Sequence, residues 1–512
     1  MGTDHGSTAD PNGREANLRR REVLPTGVVG LDEVLDGGLR PGDFYLVAGP
    51  PGSGKTTLGN QIAYARAAEG AVAIYGTVLA ETHERMLTHL AGFSFFDLAQ
   101  VARRVHYVSL YDELGAEGLP GALVLLRRLV REHRASVLVV DGASLFDDFA
   151  ESPVEFRRFT SELHAQLATL GCTTLLLADD AEVGPSMIGF GVDGVILLED
   201  ESAGMRDVRL LRVSKLRGAD PLRGRHHFAI TRDGLIVFPR IEAAIGQGQR
   251  LPDEATGRDP QGFGVPGLDR LIGGGLPPAS TTLLLGIPGT GKTCTGLHFV
   301  AEGARRGERG VIATLDETPS QLLDKAAAVG IDLAAHVAAG DVRILWNLPL
   351  DLPLDAWALE LLATVDDLGA RRVFVDPAGA FPEMAVFAER LPSFLAALVF
   401  ALRQRGVGAV FSAEMRTVVG DRFEVPPSSF PVAVDNAIML RYVELRSRLR
   451  RLISVLKVRA GAHDTSLREF SIGPRGIEVA ESFAGAEAVL SGIPRLVPAE
   501  QEQDAPAKGE GG

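Results

Sequence analysis

Short apolar runs alternate with longer stretches of helical periodicity along most of the chain, and the whole alternation occurs twice. Uninterrupted apolar runs are typical of strands buried on both faces, as in a parallel sheet covered by helices. We therefore expect an α/β fold with two tandem domains, each a mostly parallel sheet flanked by helices. The predicted strands lie at 44–48, 71–77, 105–110, 137–141, 173–178, 193–199 and 208–216, and at 282–285, 311–316, 342–346, 372–376, 409–413, 436–442 and 451–458.

Polar segments of biased composition mark the predicted domain boundaries. Residues 1–22 are rich in Gly, Asp, Ser and Arg and poor in apolar residues, which predicts a disordered segment. Residues 246–261 are rich in Gly, Pro, Asp and Gln and predict a linker. The acidic residues 498–512 predict a disordered tail. The first domain would then cover 23–245 and the second 262–497.

A glycine-rich leader precedes the first strand of each domain. Residues 27–39 and 264–276 share the pattern G-V-x-G-L-D-x-x-[LI]-x-G-G-L. The two copies are offset by 237 residues (264 − 27), and the same offset (292 − 55) separates two lysines further along. This constant spacing indicates that the chain is an internal duplication.

Each domain contains a G-x-x-x-x-G-K-[ST] loop between its first strand and a predicted helix. Glycines let the backbone fold around an anion and direct N–H groups at it, and the helix adds the positive end of its dipole. The lysine supplies a charge for the terminal phosphates, and the following threonine hydroxyl binds Mg²⁺. We therefore predict two sites for ATP with Mg²⁺. The predicted binding residues are Gly49, Pro50, Pro51, Gly52, Ser53, Gly54, Lys55, Thr56 and Thr57, and Gly286, Ile287, Pro288, Gly289, Thr290, Gly291, Lys292, Thr293 and Cys294.

An aspartate ends one further buried strand in each half. These residues are Asp141 and Asp376. Open α/β sheets bind ligands at the carboxyl ends of their strands, so both carboxylates are predicted to organise Mg²⁺ together with Thr56 and Thr293. The alternative role is a helix N-cap, which aspartate also favours.

Other acidic residues at strand ends differ between the halves. Asp316 and Glu317 form a pair, whereas the first half has only Glu81. One member of the pair is predicted to orient and deprotonate an attacking water, and the first site is predicted to hydrolyse slowly or only to hold nucleotide. An acidic helix start is the alternative. Asp179 and Glu414 end another strand and are candidates for sensing the γ-phosphate through a water, or for an ordinary loop start.

Basic pairs end a late strand in each half, Lys215 with Arg217 and Lys457 with Arg459. The alternation places both cations of a pair on one face of the strand. Two fixed cations stabilise the charge of a transferring phosphoryl group, which is the role of an arginine finger. Because they lie far from their own phosphate loop in sequence, we expect a neighbouring subunit to supply them; solvated charges on an edge strand are the alternative.

Composition narrows the class of protein. Of the 512 residues, 46% are hydrophobic and 23% charged, as in ordinary globular proteins. No apolar run reaches the ~20 residues of a membrane span, so we expect a cytoplasmic protein. The formal net charge of −14 makes nucleic acid an unfavourable partner, since phosphate binding needs a basic surface. Cys172 and Cys294 are expected to be small core residues.

At this point the chain resembles the KaiC family, tandem RecA-like P-loop ATPases, over residues 22–497. The likeness depends on the doubled leaders and phosphate loops, both basic strand ends, and the segments 228–230, 234–239 and 490–495. It implies a double-ring homohexamer with ATP and Mg²⁺ between subunits, the basic pairs reaching the neighbour's nucleotide. It also implies paired catalytic acids, which Asp316 and Glu317 match and Glu81 matches alone.

The resemblance fails at one functional position. Family members that act as clocks phosphorylate adjacent Ser and Thr residues, but the matching positions are Pro431 and Val432. Ser428 and Ser429 lie close by. We therefore predict a hexameric signalling ATPase with a regulatory protein partner, and keep as alternatives a Ser/Thr autokinase, a DNA-dependent ATPase and a scaffold that binds nucleotide with little catalysis.

Overall fold

The computed structural model describes residues 23–78, 83–179, 191–246, 259–350, 352–415, 434–445, 448–459 and 461–481, with the backbone of 487–488 and 494–495. The chain divides into two compact units between Gln247 and Gly248.

The described part of the first unit has one nine-stranded sheet in the order β3-β2-β4-β5-β1-β6-β7-β8-β9. The pairs from β3 to β6 are parallel, and those from β6 to β9 are antiparallel. The strands are β1 (Phe44–Gly49), β2 (Ala73–Thr77), β3 (Val105–Ser109), β4 (Val137–Asp141), β5 (Thr173–Asp179), β6 (Gly194–Ala203), β7 (Arg206–Leu216), β8 (His226–Thr231) and β9 (Gly234–Phe238).

Helices cover both faces of this sheet, which explains the uninterrupted apolar strands. Tyr45 and Val47 of β1 pack on the side of the helix Lys55–Ala68, whereas Leu46 and Ala48 face the helices Tyr111–His133 and Pro153–Thr169. The helices are α1 (Leu31–Val34), α2 (Lys55–Ala68), α3 (His83–Leu90), α4 (Tyr111–His133), α5 (Pro153–Thr169) and α6 (Ile241–Gly246), with 3₁₀ turns at Leu98–Gln100 and Ala143–Phe149.

The second unit repeats this architecture, with the order β12-β11-β13-β14-β10-β15-β16-β17-β18. Its strands are β10 (Thr281–Gly286), β11 (Gly310–Thr314), β12 (Val342–Trp346), β13 (Arg372–Asp376), β14 (Gly408–Glu414), β15 (Asn436–Leu445), β16 (Arg448–Val458), β17 (Arg468–Gly473) and β18 (Gly476–Val479), followed by the short pair β19 (Glu487–Ala488) and β20 (Pro494–Arg495). Its helices are α7 (Pro266–Leu271), α8 (Lys292–Arg305), α9 (Pro319–Ala328), α10 (Leu333–Ala338), α11 (Leu354–Leu368), α12 (Phe381–Met384) and α13 (Leu391–Gln404), with 3₁₀ turns at Ala378–Ala380 and Ala388–Arg390.

The structure confirms the predicted fold class of two tandem RecA-like α/β domains. The predictions were wrong mainly at the antiparallel edge, where β8, β9, β17 and β18 were not foreseen as strands. The hairpins β6–β7 and β15–β16 also extend beyond the predicted apolar runs. Their outer ends are partly exposed, so polar residues continue the strand after the apolar run has ended.

Strand register brings the chemically interesting residues to one edge of each sheet. Gly49 pairs with Asp179, and Thr77 with Asp141. In the second unit, Gly286 pairs with Glu414, and Thr314 with Asp376. Each phosphate loop leaves the sheet at this carboxyl edge. Among the described residues, no helix has the length and apolar character to cross a bilayer.

Candidate nucleotide sites

The phosphate loops adopt a backbone conformation that requires glycine. Gly52 and Gly54 have φ of 82° and 101°, and Gly289 and Gly291 have 78° and 107°. A Cβ at Gly54 would lie 2.6 Å from Ile230 Cδ1, and the second loop has the same close approach at Gly291. All four glycines are therefore needed for the turn, and Gly54 and Gly291 are needed also for packing against the antiparallel part of the sheet.

The loop lysines are held over the loops by backbone carbonyls. Lys55 Nζ donates to the carbonyl oxygens of Gly49 at 2.7 Å and Pro50 at 2.9 Å, and forms an ion pair with Asp179 Oδ1 at 2.8 Å. Lys292 Nζ makes the matching bonds to its own loop and lies 3.6 Å from Glu414 Oε1. Burial lowers the pKa of Lys292, an effect that Glu414 opposes. The acids that end β5 and β14 thus contact the lysines.

The predicted Mg²⁺ aspartates contact the predicted Mg²⁺ threonines. Thr56 Oγ1 donates to Asp141 Oδ2 at 2.8 Å, and Thr293 Oγ1 donates to Asp376 Oδ2 at 2.7 Å. Burial raises the pKa of both carboxyl groups, and the threonine hydrogen bonds act in the opposite direction. The N-cap positions of the following 3₁₀ turns belong to the next residue in each half, so neither aspartate has that alternative role.

A hydroxyl beside a buried carboxylate suits Mg²⁺. The ion prefers oxygen ligands and keeps several waters, and it binds protein through one or two side chains together with substrate phosphates. Both halves have this donor set at the N-terminus of the loop helix. The residues present therefore fit Mg²⁺ bound together with a nucleotide.

The acidic pair of the second unit lies at the end of β11, before α9. Asp316 is exposed, whereas Glu317 is half-buried and forms an ion pair with Lys325. The N-cap of α9 is Thr318, whose side chain forms a capping box with Gln321. The pair therefore precedes the helix and does not serve as its acidic first turn. Glu81, its predicted counterpart, lies outside the described residues.

A cavity of about 430 Å³ brings these groups of the second unit together. Its lining includes residues from the phosphate loop, the acidic pair, α9 and the strand ends. The lining residues are Pro288, Gly289, Gly291, Lys292, Thr293, Cys294, Asp316, Glu317, Lys325, Asp376, Pro377, Glu414, Arg451 and Ile472.

The predicted basic pairs lie at the amino ends of the parallel strands, opposite the carboxyl ends from which the phosphate loops leave. Arg217 Nη1 donates to Asp193 Oδ1 at 3.3 Å, and Asp193 accepts from the backbone N of Phe44, where β1 begins. In the second unit, Arg459 pairs with Asp435 in the same way, and Lys457 Nζ donates to the carbonyl of Val434 at 2.8 Å. Lys215 pairs with Val195 near the start of β6. A six-residue strand spans ~20 Å, so neither pair reaches the phosphate loop of its own unit.

The chain matches the family model described as "ATPase: KaiC" over residues 24–242 and 262–483. It belongs to the KaiC ATPase family. Its similar curated relatives include the circadian clock oscillator protein KaiC of Picosynechococcus sp., 26% identical over 97% of this chain and 96% of the relative. The circadian clock protein KaiC3 of Synechocystis sp. is also 26% identical, over 92% and 94%. The KaiC of Rippkaea orientalis is 27% identical, over 94% and 93%.

Several residues of this KaiC-family site escaped the sequence analysis. Tyr75 OH donates to Asp141 Oδ2 at 2.8 Å, and Ser412 Oγ donates to Asp376 Oδ1. Tyr442 and Arg451 are cross-strand neighbours on β15 and β16, with the guanidinium 5.4 Å from the ring centre. The Tyr442 hydroxyl donates to the carbonyl of Gly289 at 2.7 Å. The only sequence signal for these residues was their place on strands next to motif residues.

Proposed function

We propose that this protein is a nucleotide-dependent signalling ATPase that hydrolyses ATP chiefly in its second domain. The observation that carries the proposal is the second-unit cavity, where Lys292, Asp376 and the pair Asp316 and Glu317 line one space. These are the parts that phosphoryl transfer to water requires: a phosphate cradle, a place for Mg²⁺ and a carboxylate for the water.

The second site performs the reaction mainly by positioning and charge. The amides of the loop and Lys292 bind the β- and γ-phosphates, and Thr293 and Asp376 hold Mg²⁺. Bound Mg²⁺ neutralises phosphate charge. Asp316 or Glu317 orients the attacking water in line with the γ-phosphate and accepts its proton.

A homohexamer completes the site in this proposal. Lys457 and Arg459 lie at the far edge of their own sheet, which supports a role at the nucleotide of a neighbouring subunit; Lys215 and Arg217 have the same role in the first domain. Hydrolysis then changes the conformation of the ring and so governs the binding of a regulatory protein. The hexameric ring that the KaiC resemblance implies supports this arrangement, and the −14 charge disfavours DNA as the partner.

The first domain is proposed to bind nucleotide and hydrolyse it slowly. Lys55, Thr56 and Asp141 are arranged as in the second domain. However, the acidic pair is reduced to Glu81, since Ala80 replaces its first member. A site with phosphate and Mg²⁺ ligands but half of the acidic pair retains binding and loses most of its rate.

The double variant Asp316→Asn with Glu317→Gln tests this function. We expect phosphate release to fall to the rate of the first domain, while the non-hydrolysable analogue AMP-PNP still binds with Mg²⁺. Glu81→Gln is the matched control and should change total phosphate release little. Unchanged release in the double variant would refute the assignment, and intact mass after incubation with ATP checks the autokinase alternative.

A further inference from the structure

Lys325 is a cation of the second cavity that belongs to no phosphate-loop motif. It lies on α9, which the capping box at Thr318 fixes at its N-terminus. Helical side chains tilt towards the N-terminus of their helix, so the long side chain of Lys325 reaches back to the segment before α9. There its ammonium group forms an ion pair with Oε1 of Glu317. Both residues line the cavity.

The two carboxylate oxygens of Glu317 differ in their surroundings. Oε1 accepts the Lys325 ammonium, whereas Oε2 is buried and has no hydrogen-bond partner within the part of the chain that the structure describes. The backbone of Glu317 is fixed as well, because Thr314 Oγ1 donates to its carbonyl at 2.9 Å. A buried oxygen without a donor is costly, so a water entering the cavity would be bound there.

The charges of the cavity explain why Glu317 needs a cation. The lining contains more acidic than basic side chains: Asp316, Glu317, Asp376 and Glu414 against Lys292, Lys325 and Arg451. Lys292 is already close to Glu414, at 3.6 Å. A triphosphate brings further negative charge, and without Lys325 the carboxylate of Glu317 would repel it.

We propose that Lys325 is a positioning residue of the second site. Its ammonium group offsets the negative charge of Glu317, so that the carboxylate repels the triphosphate less. The ion pair also fixes the orientation of the carboxylate, which leaves Oε2 free to bind the attacking water. The effect on turnover rests on the proposed ATPase function; the effect on nucleotide affinity does not. At the offset of 236 residues that relates Glu317 to Glu81 (317 − 81), the first domain has the exposed His89 (325 − 236).

Nucleotide binding and turnover of the full-length protein test the proposal. Lys325→Gln should weaken Mg²⁺–AMP-PNP binding at the second site about tenfold, the effect of one uncompensated charge near the phosphates. Lys325→Arg should keep near-native affinity. The double variant Glu317→Gln with Lys325→Gln removes both charges and should restore affinity to within about threefold. Its kcat should stay low, because the carboxylate that holds the water is gone.

The first site and the unfolding temperature serve as internal controls for this experiment. The affinity of the first site should be the same in every variant with a substitution in the second domain, and His89→Gln should behave as wild type. Thermal unfolding without nucleotide should be nearly unchanged in Lys325→Gln, since a partly exposed ion pair contributes little stability.

Two results would overturn the role of Lys325. One is a Lys325→Gln variant with native affinity and native kcat. The other is a double variant that binds as weakly as the single one, since a merely structural lysine would show no such compensation. If the wild-type protein releases no phosphate at all, the proposed ATPase function fails, and the AMP-PNP series still decides whether Lys325 screens Glu317.

Discussion

The two domains hold the same carboxylate in the same place with different partners. Asp141 accepts from Tyr75 of β2, whereas Asp376 accepts from Ser412 of β14, in addition to the loop threonine in each case. The hydroxyl donors therefore come from strands on opposite sides of the aspartate's strand. The fold therefore fixes the position of the carboxylate that is predicted to bind Mg²⁺, whereas the residue that donates to it differs between the domains.

The surroundings of the phosphate loops have diverged further. In the second domain, Tyr442 and Arg451 face each other across β15 and β16, and the tyrosine bonds to the loop. The matching pair across β6 and β7 is Asp200 and Arg209, an ion pair of 3.6 Å. The geometry of the phosphate loop is thus common to both halves, and the residues around the loop distinguish them.

The largest effect is expected for Lys292→Ala compared with Lys55→Ala. Each variant should bind one AMP-PNP per chain where the wild type binds two, because a phosphate loop loses its charge. Only Lys292→Ala should also lower phosphate release to the rate of the first domain, because loss of a charge that stabilises the transition state slows the second site about a thousandfold. Phosphate release and binding stoichiometry measure the two effects. Equal loss of turnover in both variants, with oligomeric mass unchanged, would mean that the two domains hydrolyse alike.

Removing the second-domain basic pair is expected to have the next largest effect. Lys457→Ala with Arg459→Ala should lower turnover about a hundredfold, because the transferring phosphoryl group loses its outer cations. Stability should change little, as Arg459 is 68% exposed. Mixing this variant with Lys292→Ala should restore part of the activity, since some interfaces then combine an intact loop with an intact basic pair. A mixture no more active than its components would contradict supply from a neighbouring subunit.

Ala80→Asp should narrow the difference between the domains. It restores the acidic pair of the first half beside Glu81, and in a Lys292→Ala background the first-site turnover should rise about tenfold, within the range of general base catalysis. Ala80→Asn is the matched control of similar shape and should not raise it. If both substitutions leave the rate unchanged, the first site is slow for a reason other than its missing acid.

The local features of this site could be predicted from sequence, because each depends only on residues that are contiguous in the chain. The phosphate loops, the strands that precede them and the aspartates that end β4 and β13 are of this kind. The offset of 237 residues matched the leaders and phosphate loops of the two halves, and the acidic and basic strand ends were matched by their local patterns. The predicted roles of the basic pairs and of the acidic pair remain predictions, and Glu81 lies outside the described residues.

The residues that escaped prediction depend on tertiary contacts. From sequence, Tyr75 is one aromatic residue in a buried strand and Ser412 is a small one. Only the paired strands of the folded sheet bring each hydroxyl to an aspartate. Lys325 reads as an ordinary helix lysine, because only the path of the chain before α9 brings Glu317 to it. No local pattern predicts these pairings, because the sheet brings Tyr75 and Ser412 to their aspartates and the turn before α9 brings Glu317 to Lys325.

The smallest expected effect concerns the stability cost of the two buried aspartates, which should be similar in both domains. Burial raises the pKa of Asp141 and Asp376 above the ordinary value, so the unfolded chain loses these protons at a lower pH than the folded one. Wild-type stability without nucleotide and Mg²⁺ should therefore fall as the pH rises from about 4, the ordinary aspartate pKa, through the raised values. Asp141→Asn and Asp376→Asn should each remove one such loss and raise the melting temperature at neutral pH by a few degrees, whereas the exposed Asp316→Asn should not. If both Asn variants were less stable than the wild type at neutral pH, the hydrogen bonds from the hydroxyl donors would outweigh the cost of burying the carboxylates. If one variant were more stable and the other less stable, Tyr75 and Ser412 would stabilise their carboxylates unequally.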